Sequence, residues 1–359
     1  MTQESSLGVT DVRIVKTLAP SGPYNRIWQP FIERWKEKHL LVAFGMHLTG
    51  KMDMGDIVCS VSTDDGHTWG EPVMVLDHRV AYGPLRFTYA NPVLYHPPGQ
   101  DVIWCFAIRC PVYYRDSEDS QLCAAYSADG GLSWQPVELA VHYHSHIITC
   151  AGIFRVEEDE RVRYLLPVHR NTLRHDPIGT MDHMVLESTN LLEWKLAGYI
   201  PQPPDQKVNM HEGNIACGDG PGELKIVMRT AQYGRGGGPL DPPVAYSSVS
   251  SDGARTWSPG EPEPDLYNAA SKAYFGMDSN GNYVYVYSSA WERRELAYKV
   301  KRPGQSWGEE RLFFNSNTRN SYPTLLEYEP GRFYAVWDSS ADPDRQRTAI
   351  RFGRFIVEP

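Results

Sequence analysis

Long apolar runs, CxxC cysteine pairs and any sustained helical period are missing from this sequence. A membrane-spanning helix needs roughly 18 consecutive apolar residues, and no stretch approaches that length. Six cysteines in 359 residues are too few and too scattered for a disulfide scaffold or a zinc site. Cys59, Cys105 and Cys123 fall inside apolar, strand-like segments and read as buried thiols. The opening residues, Met1–Lys16, lack the apolar core of a secretory signal, so the reducing cytoplasm is the default expectation. A secreted protein trimmed of its leader would read the same. Positive charge is scarce as well. With 35 Lys and Arg against 44 Asp and Glu, the net charge is -9, which argues against nucleic acid or an anionic membrane as a partner. The glycines of "QYGRGGGPLDPP" (Gln232–Pro243) do not lead from a strand into a helix, so they read as a flexible loop rather than a phosphate cradle. No nucleotide, haem or flavin motif is present, and no cofactor or metal is expected.

Aromatic residues are abundant: 10 Trp and 21 Tyr, side chains that favour sheet. Strand-like pairs recur along the whole chain. They include "HLLVAFGM" with "GDIVCSVS", "DVIWCFAIR" with "QLCAAYSA" and "VRYLLPVHR" with "DHMVLEST". "ELKIVMRT" with "VAYSSVS", "NYVYVYSS" with "ELAYKVK" and "RFYAVWDSS" with "TAIRFGRFIV" follow. First strands begin near His39, Asp101, Val162, Glu223, Asn282 and Arg332, a repeat of about 60 residues. A repeat this even favours a propeller over a two-sheet sandwich. The expectation is one all-β domain over residues 1–359, a six-bladed β-propeller of four-stranded antiparallel blades.

A short motif punctuates the repeat. "SVSTDDGHTWGEP" (Ser60–Pro72) and "AYSADGGLSWQP" (Ala125–Pro136) share the pattern Ser-x-Asp-x-Gly-x-Thr/Ser-Trp. "SSDGARTW" (Ser250–Trp257), "STNLLEW" (Ser188–Trp194) and "KRPGQSW" (Lys301–Trp307) are worn copies. Each follows the second strand of a pair, where the chain must turn into an outer strand. Asp accepts turn amides, Gly takes a positive φ and Trp packs back on the sheet, so the motif is a folding device.

An inner strand should precede each pair, and its leading residue sits about ten residues upstream of the pair. That places Gln29, Asn91, Glu212, Lys272 and Tyr322 at one end of the axis. The far ends of the returning strands add His47, Arg109, His169, Arg170, Arg229 and Asp338 to that end. Several arginines, two carboxylates and a tyrosine make a ring more polar than packing requires. His142, His144 and His146 alternate along "VHYHSHI" and read as histidines lining a sugar cleft, since no carboxylate or cysteine stands near them to complete a metal site.

The Ser-x-Asp-x-Gly-x-Thr-Trp turns resemble the Asp boxes of the sialidase (neuraminidase) superfamily. The resemblance implies a six-bladed propeller with its substrate site on the axis, at the face away from the boxes. It also implies roles. Arg26 in "YNRIWQP" resembles the first arginine of a carboxylate clamp, although the family's immediate proline is displaced to Pro30. "HEGNIACGDGPGELKIVMRT" (His211–Thr230) resembles the Glu followed one hairpin later by an Arg, pairing Glu212 with Arg229. "NSYPTLLEYEPGRFYAVWDSS" (Asn320–Ser340) resembles the catalytic-tyrosine strand, with Tyr322 as nucleophile and Asp338 steadying the first arginine. "SSAWERREL" offers Arg293 or Arg294 as the third arginine, and "TGKMDMGDIV" offers Asp53 or Asp56 as acid/base. Arginine forks select a carboxylate, and a tyrosine deprotonated by Glu212 attacks without the repulsion an anionic nucleophile would meet.

The leading expectation is therefore an exo-acting glycosidase of sialidase-like type, releasing a terminal acidic sugar such as sialic acid from a glycan. Substrate-binding residues would be Arg26, Arg229, Arg293, Asp338, His211, His47 and Arg109; catalytic residues would be Tyr322, Glu212 and Asp53. One alternative is a polysaccharide lyase acting at a uronate, with His211 or another ring histidine and Tyr322 as base and acid. The other is a non-catalytic glycan-binding propeller. The partner in each case is a carbohydrate, bearing a carboxylate in the two enzyme readings.

Overall fold

The computed structural model describes residues 8–19, 21–50, 54–82, 85–111, 121–142, 147–149, 151–158, 161–171, 181–234, 237–316, 318–340 and 347–358. Every described element is a strand, and among the described residues no helix is long and apolar enough to cross a membrane. The ladders are antiparallel except where Ala140–Val141 joins Glu193–Tyr199 in parallel. The arrangement is that of a propeller, with small sheets around an axis.

Six separate four-stranded sheets were expected, and the hydrogen bonding divides the strands differently. Among the described residues three sheets have four strands, one has six and one has nine. The nine-stranded sheet arises because Gly55–Ser62 meets the next inner strand, Leu85–Tyr95, through the pair Gly55↔Tyr89. Gly55 is also required within its own hairpin, where a Cβ would lie 1.9 Å from the Met46 carbonyl oxygen. The six-stranded sheet gains strands because both Ile147–Thr149 and Phe154–Glu158 pair with Arg161–Asn171. The last sheet closes the circle, since Val9–Thr17 forms its outer strand against Ala349–Ile356.

The inner strands form a ring. Tyr24–Lys36 touches Leu85–Tyr95 on one side and Asn320–Glu329 on the other. Val208–Cys217 lies between Arg161–Asn171 and Tyr274–Met277, and the latter meets Asn320–Glu329. Apolar sheet faces then pack between neighbours, with Trp194, Trp337, Phe106 and Phe313 fully buried.

The inner strands also share a backbone device. Their ladders skip two residues between Trp28 and Phe31, Ala90 and Val93, His211 and Asn214, and Ser321 and Thr324. At each skip one residue adopts a left-handed conformation: Gln29 at φ 57°, Asn91 at 55°, Glu212 at 49° and Tyr322 at 55°. These are four of the leading positions counted from the sequence. Ala270, at φ 49°, holds the corresponding place before Tyr274–Met277, so Lys272 lies two residues deeper than its count implied. A bulge of this kind re-aims a side chain, and non-glycine residues held left-handed cluster where function demands it.

The box turns lie at the other end. Ser62 ends its strand opposite Leu40, whereas Gly55 starts it beside His47. In the first box the Ser62 hydroxyl donates to Asp64 and accepts the Gly66 amide at 2.9 Å, while Asp64 accepts the Thr68 amide and hydroxyl. Ser127 and Asp129 repeat this in the second box, and Ser250 and Asp252 in the worn copy, where Ala254 takes φ 71°. The turns also lean on strands beyond their own hairpins. The Gly130 carbonyl meets His39 Nε2 at 2.8 Å, and Asp65 accepts from Arg354 at 2.7 Å and from the Tyr334 hydroxyl.

Candidate active site

Glu212, Arg229 and Tyr322 come together at the inner-strand end opposite the boxes. The Tyr322 hydroxyl donates to Glu212 Oε1 at 2.9 Å. Arg229 Nη1 donates to Glu212 Oε2 at 2.7 Å and to the Tyr322 oxygen at 3.2 Å. The bulges position two of the three residues. Arg229 stands on the neighbouring strand, opposite His211. Glu212 and Tyr322 are both buried.

Their protonation follows from this contact. Burial would raise the Glu212 carboxyl, but the Arg229 charge and hydrogen bond overcome it and hold the group well below the usual carboxylate range. Burial first, then the Glu212 carboxylate, pushes the Tyr322 phenol above its ordinary value, with Arg229, Arg293 and Arg347 pulling back. At rest the pair is therefore a phenol and a carboxylate, bridged by a guanidinium.

Further cations surround the phenol. Arg293 is buried, 5.9 Å from the Tyr322 ring, and its Nη2 donates to the Ala270 carbonyl at 2.7 Å. Arg294 is exposed, so of the two adjacent arginines Arg293 is the one that turns inward. Lys272 Nζ lies 6.0 Å from the same ring and borders an axial cavity of about 360 Å³ below it. Trp28 stands 5.4 Å from Tyr322 with the Arg347 guanidinium stacked 3.3 Å over its indole. Asp338 is fully buried and accepts from the Ser321 hydroxyl at 2.6 Å. Burial raises its carboxyl, and Arg347, not Arg26, is the cation that opposes this most strongly.

The other expected residues sit further from the phenol or do other work. His47 Nε2 accepts the Trp28 indole N–H at 2.6 Å, and burial with the Arg347 and Arg26 charges keeps it neutral. Arg26 pairs with His47 across the ladder. His211 is buried, held neutral by burial and by Arg229, and packs edge-on against His169 at 5.4 Å. Arg109 turns to its own sheet, over the Phe87 ring at 4.9 Å and toward Gln121 and Glu138. Asp53, His144 and His146 lie outside the described residues. Asp56 is fully buried and its oxygens are taken by the Tyr24 hydroxyl and by the amide and Nδ1 of His78, so it is a framework carboxylate. His142 meets Glu193 at 2.9 Å beside the third turn, away from the cleft expected for it. Arg347, and Arg319, whose charge acts on Asp338 and Arg293, were not anticipated. Arg319 precedes Tyr322 by three residues, a signal that could have found it; Arg347 carries no comparable mark in the sequence.

Among the described residues one trio, Asp56, Asp77 and His78, is close enough to share an ion. Arg79 already occupies Asp77, and Asp56 is saturated as above, so the trio is not built as a metal site.

The sequence matches the family of the BNR repeat-like domain over residues 38–335. The chain belongs to this family. No curated protein matches it. Among solved structures, a protein of unknown function from Dyadobacter fermentans is 16% identical with TM-score 0.68, covering 97% of this chain and 99% of that one. The NanB sialidase of Streptococcus pneumoniae is 10% identical with TM-score 0.69, covering 97% and 71%. A leech intramolecular trans-sialidase is 12% identical with TM-score 0.68, covering 97% and 70%. This BNR-repeat protein thus has the fold of the sialidase superfamily.

Proposed function

We propose that this BNR-repeat protein is a sialidase-like glycoside hydrolase that removes a terminal acidic sugar, on a propeller best counted as six sectors if the nine-stranded sheet is taken as two. One observation carries the reading: the direct contact of Tyr322, Glu212 and Arg229 within a cluster of cations. In this reading Arg229, Arg293 and Arg347 bind the sugar carboxylate, since paired guanidinium donors match its two oxygens. The Tyr322 oxygen attacks the anomeric carbon while its proton passes to Glu212, and Asp53 protonates the leaving oxygen. A covalent aryl glycoside results. Asp53, now a carboxylate, takes a proton from the incoming water, the sugar leaves, and Glu212 returns its proton to Tyr322. A phenol that is neutral at rest suits an anionic substrate, which would repel a carboxylate nucleophile.

The test is a screen against sialyl, uronate-capped and neutral glycans, with product mass and ultraviolet absorbance recorded. Release of a free sugar acid by the wild type, lost in Tyr322→Phe with folding intact, is the expected result. Undiminished turnover in Tyr322→Phe would end the nucleophile assignment. The buried, neutral His211 beside Glu212 favours one second reading, a lyase in which His211 and Tyr322 move the protons. An unsaturated, ultraviolet-absorbing product would establish it in place of hydrolysis. Glycan binding with no product after long incubation would instead mark a non-catalytic propeller.

A further inference from the structure

We propose that His183 is a positioning residue for Glu212, holding from the neighbouring sheet the bulge that aims this carboxylate at Tyr322. The bulge takes Glu212 and Gly213 out of the ladder, because His211 pairs with Arg229 and the next pair is Asn214 with Val227. A backbone amide released inside the protein needs another acceptor. Three of the equivalent bulges avoid the problem by chemistry. Gln29 is followed by Pro30, Asn91 by Pro92 and Tyr322 by Pro323, and proline has no N–H to satisfy. Glu212 is followed by Gly213, whose amide remains.

His183 supplies what that amide lacks. Its Nε2 accepts the Gly213 N–H at 2.9 Å, which fixes the tautomer with the proton on Nδ1. The imidazole is fully buried on Met181–Ser188, opposite His169 in the ladder. Burial, then the neighbouring His169, lowers its pKa to about 3, so the acceptor nitrogen stays unprotonated at neutral pH. The approach is close enough to dictate the residue at 213. A Cβ there would lie 2.7 Å from His183 Nε2 and 2.8 Å from Met228 Cγ, so only glycine fits. "HEGN" thus encodes a bulge whose carboxylate is steered by a histidine nearly thirty residues upstream. The positioning stands on geometry alone; its catalytic consequence rests on the hydrolase reading above.

The direct test is a nitrogen–nitrogen scalar coupling across the hydrogen bond in deuterated, ¹⁵N-labelled protein. A coupling between the Gly213 amide and His183 Nε2 is expected, and its absence in the folded wild type would overturn the proposal. Crystal structures of His183→Phe and His183→Gln form the second arm. The Phe variant should lose the Glu212–Tyr322 hydrogen bond, and the Gln variant, whose side-chain oxygen can accept the same amide, should restore it. A Phe variant with the bulge and that contact unchanged would refute the idea. If the Phe variant does not fold, the coupling and the Gln structure still decide. With a substrate from the glycan screen, His183→Phe should lower kcat by about 10-fold or more while KM changes less than about 3-fold, and His183→Gln should recover most of kcat. Unchanged kcat in a folded Phe variant would exclude the catalytic consequence, and a wild type inert on every glycan would remove the hydrolase reading while leaving the coupling and structural arms intact.

Discussion

At Glu212 two forces of opposite sign meet. Burial favours the neutral acid, and the Arg229 guanidinium at 2.7 Å favours the carboxylate and prevails. Removing the guanidinium leaves burial unopposed. Arg229→Met should therefore raise the Glu212 pKa and move the acid limb of the kcat/KM profile upward by about one pH unit or more, with an overall loss of about 100-fold. A profile that stays in place would show that Glu212 is not the group being titrated. Glu212→Gln keeps the size and one acceptor but cannot take the phenol proton, and kcat should fall by roughly 10²–10⁴-fold. The residue scale was partly legible. Glu212, Arg229 and Tyr322 were found because a fixed count along a regular repeat leads to them. Arg347 was not, because it joins the cluster through the stacking of its guanidinium on Trp28, a contact between residues at opposite ends of the chain.

The two recurring elements, bulge and box, divide the labour. The bulge bends the inner strand and stores a left-handed residue where the site is built. The box ties one sheet to the next. Its aspartates are titratable anchors: Asp64, Asp129 and Asp252 are each lowered from 3.8 to about 2. For Asp64 the Thr68 amide is the main cause, while in the other two hydrogen bonds from Ser133 and Thr256 outweigh burial. A carboxyl whose folded pKa is depressed contributes stability above its unfolded pKa and loses it as pH falls through the folded value. The melting temperature should therefore be steady above about pH 4 on this account and decline between about pH 4 and 2. Asp129→Asn should melt lower at neutral pH and show a shallower acid decline; an unchanged acid decline would locate the sensitivity elsewhere. Asn190 already plays this part in the third turn, accepting the Leu192 and Glu193 amides at 2.9 and 2.8 Å. The boxes were readable because a turn is local. The bulges were not, since alternation within an inner strand looks the same with or without two skipped residues.

For the molecule as a whole, closure is the decisive feature. Val9–Thr17 completes the sheet formed by the last strands and buries Val9 and Val15. Burial of two valines is worth about 1.5–3 kcal/mol each, and removal would also expose the Ala349–Ile356 edge. Deleting residues 8–17 should lower the melting temperature by on the order of 10 °C and promote aggregation, measured by scanning calorimetry and light scattering. A melting temperature within about 2 °C of the intact chain would mean that closure contributes little. The count of separate sheets differed from expectation for a reason at this scale. Whether neighbouring sheets remain distinct depends on how closely their edges approach, and at Gly55 one edge comes near enough to pair with Tyr89 of the next inner strand.

By itself, the sequence determined the all-strand character, the even repeat, the box turns and the leading positions of most inner strands. Each of these depends on neighbours within a few residues or on a constant spacing. Tertiary structure alone decided which cations gather around Tyr322, that Asp56 is buried as a framework carboxylate, and that His183 accepts the Gly213 amide. Those outcomes depend on distances between sheets, and such distances are set only when the ring closes and side chains from remote segments compete for the same few ångströms.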